Sequence, residues 1–164
     1  MSLEFISNEH MLFPTPFWQI QVKGVDNEAI KEYCYNLKEN TEGVTISNRG
    51  GWHSKEIIEP LPESLENLFV NFEAFTNDYC AQITGLNQLR LGNFWININS
   101  KYDYNRTHDH QNSILSGVYY VDAEGDDVGA FVAERDDTAE FFLGSYKNQT
   151  PFTGTSFSIV PLTG

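Results

Sequence analysis

The stretch GNFWININSKYDYNRTHDHQNSILSGVYYV, residues 92–121, decides how the rest of the chain is read. From Asn93 to Asn99, large apolar side chains alternate with asparagines, the period-2 pattern of a half-buried strand. Residues 115–121 are rich in β-branched and aromatic side chains, which favours a second strand returning beside the first. Between them lies Thr107-His108-Asp109-His110. In extended backbone, residues i and i+2 share a face, so His108 and His110 project together and Asp109 projects away. Paired imidazoles at a strand end suit a divalent metal, because neutral imidazole is the commonest side-chain ligand near neutral pH. A polar loop with two solvated histidines is the plainer alternative. The apolar strand that follows directly places the pair at the mouth of a sheet core.

Composition bounds the remaining choices. A chain of 164 residues is read as one domain, 1–164, able to bury roughly 70% of its unfolded surface. At 40% hydrophobic and 14% aromatic residues it is globular rather than disordered. The net charge of -13 argues against nucleic acid or an anionic membrane as partner. Cys34 and Cys80 both fall in helical patterns with no CxxC partner, so they read as reduced, partly buried thiols of a reducing compartment. No basic region followed by an apolar run opens the chain, and no stretch approaches a membrane span. The expectation is a cytoplasmic protein.

Along the chain, residues 11–22 (MLFPTPFWQIQV) read as an opening strand whose prolines confine its start to an edge or turn. Asp26 is placed to cap a helix from Asn27 to Asn40, with Ile30, Tyr33, Cys34 and Leu37 as its buried face and Gly43 as its stop. NRGGWHS, residues 48–54, is a glycine turn presenting Trp52 and His53, either as a structural loop with Trp52 in the core or as a substrate loop carrying His53. A second helix is read from Glu63 to Ile83, with Leu65, Leu68, Phe69, Phe72, Phe75, Tyr79 and Ile83 as a packing stripe ended by Gly85. Strands follow at about 89–99, 115–123, 129–134 and 155–160, with a turn at 124–127 and a long polar loop at 136–151. Two helices and then a run of antiparallel strands make an α+β layout built on a sandwich or barrel.

LFPTP, NRGGWHS, the WININ strand, THDHQNSILSGVYYV and a glycine-led strand at 129–134 occur in an order that resembles the 2-oxoglutarate- and Fe(II)-dependent oxygenases of marine bacteria and their phages. SGVYY after a His-x-His turn is the most specific part. The resemblance spans about residues 11–164 and implies a double-stranded β-helix (jelly roll) braced by N-terminal helices, with Fe(II) and 2-oxoglutarate as cofactors. It implies hydroxylation of an unactivated C–H bond in a small-molecule or peptide substrate.

By the same resemblance His108 is the first metal ligand. His110 stands where the wider superfamily has its carboxylate, so either imidazole replaces the carboxylate or the metal geometry differs. Tyr120 matches a tyrosine that reaches 2-oxoglutarate, with Ser116 and Val118 on the same, inner strand face. Asn97 and Asn99 are further candidates for that pocket, or else form a hydrogen-bonded ladder. Tyr104 and Asn105 read as turn residues supporting the ligands.

The segment Ser156-Phe157-Ser158-Ile159-Val160-Pro161-Leu162-Thr163-Gly164 resembles one that leads, in such proteins, into the strand bearing a distal histidine and then an arginine for the cosubstrate. The chain therefore reads as a member with its closing strands missing, expected to bind metal weakly, to show little activity, and to offer open sheet edges to another copy. A non-enzymatic, cupin-like metal- or ligand-binding jelly roll is the alternative, although the glutamate that the cupin pattern needs soon after its histidines is absent. A zinc hydrolase would need a general base such as Glu134 or Asp136.

Overall fold

A computed structural model of the chain describes residues 7–8, 15–57, 60–86, 88–125, 128–135 and 154–164. The described residues combine helices with small antiparallel ladders, an α+β arrangement. Helix α1 spans Asn27–Asn40. It starts where Asp26 Oδ1 accepts the Ala29 amide at 3.0 Å, satisfying one of the free N–H groups of the first turn. Ile30 and Cys34 are its buried residues, on the face read from the sequence.

Gly43 does not end α1. The helix stops at Thr41, whose backbone is extended and whose hydroxyl donates to the Leu37 carbonyl at 2.7 Å. Gly43 serves a close approach instead: a Cβ there would lie 2.7 Å from Trp52 Cδ1.

Helix α2, Glu63–Phe75, continues through a π-helical turn at Thr76–Cys80 into the short α3, Ala81–Thr84. Gly85 closes it in the left-handed region (φ +72°), as its sequence position suggests. The π turn has a local cause. The Thr76 hydroxyl and the Asn77 amide both donate to the Glu73 carbonyl, at 3.0 and 2.8 Å, and compete with the regular ladder. The wider turn shifts the apolar phase. Leu65 and Leu68 are buried as expected, but Tyr79 and Ile83 are 52% and 63% exposed, and Cys80 is buried in their place. The packing stripe therefore holds for α2 and fails beyond it.

Strand pairing departs most from the sequence reading. Strands β1 (Asn48–Arg49) and β2 (Trp52–His53) flank Gly50 and Gly51, both at positive φ. β1 pairs with β4 (Tyr104–Asn105) and β2 with β3 (Asn97–Ile98). The partner of the WININ segment is thus the GGWHS arch, and residues 115–123 form no ladder with it. Hydrogen bonds extend the β2–β3 contact: the Ser54 amide donates to the Ile96 carbonyl (2.9 Å) and the Ile57 amide to Phe94 (3.2 Å).

Strands β5 (Phe131–Glu134) and β6 (Ser156–Ile159) fall within their expected segments and pair antiparallel, Phe131 opposite Ile159. Of the opening strand, residues 15–22 belong to no ladder, although Phe17 packs on Phe131 and Phe157 at 5.7 Å. The 11–14 part of that segment and the 136–151 loop lie outside the described residues.

Ile30, Cys34, Leu65 and Leu68 form the core, and Ile96, Ile98, Tyr119 and Val121 pack against it. Tyr119 donates its hydroxyl to Asn27 Oδ1 at 2.8 Å and meets Phe72 edge-on. The 94–98 and 119–121 segments therefore lie on the helices by alternate residues. Trp95, Asn97 and Tyr120 are left to the opposite faces of their segments.

Two outcomes follow from this packing. Gly51→Ala would strain a φ of +62° and place a Cβ 2.3 Å from Asn99 Oδ1 and 3.0 Å from the Ile98 carbonyl. A loss of about 1–3 kcal/mol is expected in urea denaturation. Burial also pushes the Cys34 thiol from its ordinary 9.0 to about 11, and raises Cys80, Tyr33 and Tyr119. A group with a higher pKa when folded holds its proton better in the fold, so the contribution of Cys34 is complete below about pH 9 and is lost as pH rises through 11. The unfolding free energy should drop between pH 7 and 10.5 by about 1–2 kcal/mol, and by less in Cys34→Ala, as read by urea denaturation at each pH.

Candidate functional site

The helices reach the site through a chain of polar contacts. Asn77 clamps Leu89 twice, donating to its carbonyl at 2.9 Å and accepting its amide at 2.7 Å. The Glu73 carboxylate accepts the Leu91 amide at 2.8 Å and pairs with Arg90 at 3.2 Å. The hydrogen bond from the Leu91 amide holds that carboxyl below its ordinary range, opposed by burial and helped to a lesser degree by Arg90. The strand carrying Trp95 is thereby anchored at its start. Ser54 anchors it again, because its hydroxyl accepts the Ile96 amide at 2.9 Å while its own amide donates to the Ile96 carbonyl.

On the face away from the core, four rings form a column. His53 is 4% exposed and lies parallel to Trp95, with centroids 5.8 Å apart and planes 9° apart. Trp95 stacks in turn with His110 at 5.4 Å and 24°. His110 meets His108 edge-on at 4.9 Å. His108 is exposed and His110 half-buried, so the column runs from the interior to the surface.

Two of these imidazoles have a defined tautomer. His53 Nδ1 lies 2.6 Å from the Ser54 carbonyl, and His108 Nδ1 lies 2.7 Å from the Arg106 carbonyl. A carbonyl only accepts, so each Nδ1 carries the proton and each Nε2 keeps its lone pair when the ring is neutral. A carbonyl holding the second ring nitrogen is the usual companion of a metal-ligating histidine.

The remaining candidates divide. Asn97 lies opposite His53 across the β2–β3 ladder, on the face that carries the column. Asn99 donates to Asn105 at 3.4 Å, and Asn105 donates to the Ser47 hydroxyl at 3.0 Å, side-chain bonds that tie the 97–105 segment to the 47–49 segment. Tyr104 and Asn105 are β4 itself. Ser116 and Val118 are exposed on the 115–121 segment, and Tyr120 is half-buried there, outside the column. Desolvation raises the Tyr120 pKa, so its phenol stays a neutral donor. The Gly164 amide donates to the Tyr120 carbonyl at 2.9 Å, and the Val22 amide donates to Gly164 at 2.7 Å. Asp109 accepts from Gln111 at the limit of hydrogen-bond length, 3.5 Å.

Residues 93–162 match the model of a family described as "Putative 2OG-Fe(II) oxygenase". The match supports that family for the stretch holding β3 to β6, the histidine pair and Tyr120. The family implies Fe(II) and 2-oxoglutarate. The helices and the GGWHS arch, His53 included, precede the matched stretch. No curated protein and no solved structure matches the chain.

The donor chemistry fits such an ion in part. Two adjacent imidazoles, one held by a carbonyl on its far nitrogen, suit two positions around a first-row divalent metal. Among the described residues no cluster of three or more His, Cys, Asp or Glu could hold a metal, so the pair offers two donors and no third is grouped with it there. Among the same residues, no helix is long and apolar enough to cross a membrane.

Trp95 is the site residue that the sequence reading passed over. The signal was present: in Trp95-Ile96-Asn97-Ile98-Asn99 the tryptophan shares its face with the asparagines rather than with the core isoleucines. Replacing His53 with leucine would leave the Ser54 carbonyl without its imidazole donor and one side of Trp95 without a stacked ring. A loss of about 1–3 kcal/mol is expected for His53→Leu in thermal or urea unfolding.

Proposed function

We propose that the chain is an oxygenase-type domain of the 2-oxoglutarate/Fe(II) class, folded as a jelly roll braced by α1 and α2, with His108 and His110 as two of its metal ligands. The adjacency of the two imidazoles, inside the stretch that matches the family, carries this reading. His108 brings an Nε2 lone pair oriented by the Arg106 carbonyl. His110 brings a ring stacked on Trp95. Tyr120, with its raised pKa, is a neutral O–H donor suited to a cosubstrate carboxylate, and Ser116 and Asn97 are the further polar candidates. When bound, iron together with 2-oxoglutarate supplies the oxidising chemistry for C–H hydroxylation. The chain's own part is to hold the ion by imidazole, orient the cosubstrate and limit water on the buried side of the column. Asn99 is committed to Asn105 and supports the turn between β3 and β4 in this reading.

The donor count supports a second reading. With two imidazoles and no third donor grouped with them among the described residues, a metal- or ligand-binding module without turnover would use the same site. Succinate release separates the two.

Calorimetric titration with Mn(II) or, anaerobically, Fe(II) is expected to show weak one-to-one binding that falls at least tenfold in His108→Ala and in His110→Ala. Tight binding unaffected by His108→Ala would overturn the site. Succinate formed from 2-oxoglutarate in an iron-dependent way would support the oxygenase. Metal binding without it would support the module.

A further inference from the structure

The two imidazoles of the pair are held in different ways. The His108 ring is fixed by its own hydrogen bond, Nδ1–H to the Arg106 carbonyl at 2.7 Å. The His110 ring makes no such bond among the described residues: its backbone carbonyl accepts the Ser113 amide, but its ring contacts are Trp95 and His108. An imidazole on a turn, with no partner for its far nitrogen, is free to rotate about χ1 and χ2 unless packing stops it.

Packing on Trp95 stops it. The indole is held independently of His110 in two ways. Its strand is clamped by Ser54, which bonds both the amide and the carbonyl of the next residue, Ile96. Its inner side lies parallel to His53, which is buried and tied to the Ser54 carbonyl. Its other neighbour in the stack is the His110 imidazole, within 24° of parallel. Stacking over a flat, polarisable surface restrains the tilt of a ring while leaving both of its nitrogens available, which a hydrogen bond does not.

We propose that Trp95 is a positioning residue for His110. Backed by His53, it sets the plane of an imidazole whose ring has no hydrogen bond among the described residues, and so presents the His110 ring beside the already fixed His108. The proposal deepens the metal-pair reading and rests on it for its functional meaning. Its structural core, that Trp95 holds the His110 ring, stands or falls separately. His53 and the GGWHS arch then belong to the site without touching the metal, although the arch precedes the stretch that matches the family.

The test uses the full chain and two readouts. In metal-free wild-type protein, the His110 ring protons are expected to be shifted upfield by the indole ring current and to report a single rotamer by NMR. His110 ring signals at solvent-exposed positions with averaged rotamers would overturn the proposal, whatever the metal does. By calorimetry, Trp95→Leu, which keeps apolar bulk but no flat face, is expected to weaken Co(II) binding about tenfold, and Trp95→Phe to recover most of it. Co(II) affinity at the wild-type level in a Trp95→Leu chain folded by circular dichroism would also overturn it. If Trp95→Leu does not fold, the wild-type NMR result decides. Undiminished Co(II) binding in His108→Ala would refute the metal pair instead, and the NMR result would still settle the role of Trp95.

Discussion

Two consecutive glycines at positive φ, Gly50 and Gly51, are the constraint on which the rest of this structure depends. They let the chain reverse its course within one short arch, so that the residues before them pair with β4 and the residues after them with β3. Any side chain would be excluded twice over. The left-handed backbone is strained for L residues, and the space is already filled by Asp103 beside Gly50 and by Asn99 beside Gly51. The 97–105 turn is thereby gripped at both ends by one seven-residue segment. The histidine segment leaves the β4 end of that turn, so its position is inherited from the arch.

The helices supply the other half of the support. Their core of Ile30, Cys34, Leu65 and Leu68 receives Ile96, Ile98, Tyr119 and Val121, one set from each of the two extended segments that bracket the histidines. Alternation then sends Trp95 and Tyr120 to the opposite sides of those segments. The π turn serves this arrangement too. The Asn77 side-chain amide that donates to the Glu73 carbonyl in this turn also donates to the Leu89 carbonyl, and its oxygen accepts the Leu89 amide, so the turn holds the entry to the segment. One irregularity in a helix thus fixes the start of the segment that carries Trp95.

The site that results is a graded column rather than a ring of ligands. It begins with a buried imidazole bonded to a carbonyl, passes through an indole, and ends with two imidazoles at increasing exposure. Stacking and hydrogen bonding divide the task of orientation between them. The overall acidity of the chain, -13, enters here only as a background field that favours cations over anions near such a site.

What the sequence by itself determined was local. The capped start of α1 at Asp26 and its buried face, the stop at Gly85, the burial of both thiols and the segments that hold β5 and β6 were all legible, because caps and periodicity act within a few residues. The proximity of His108 and His110 was legible for the same reason: i and i+2 of an extended chain share a face. Only the tertiary structure decided which strand lies beside which. The WININ segment takes GGWHS as its partner rather than the later SGVYY segment, since pairing depends on a backbone reversal that two glycines permit but no periodicity encodes. It likewise decided that Cys80, not Tyr79, turns inward past the π turn, and that Trp95 stands between His53 and His110. Contacts between residues some 40 positions apart are set by packing and loop geometry, which no local pattern carries.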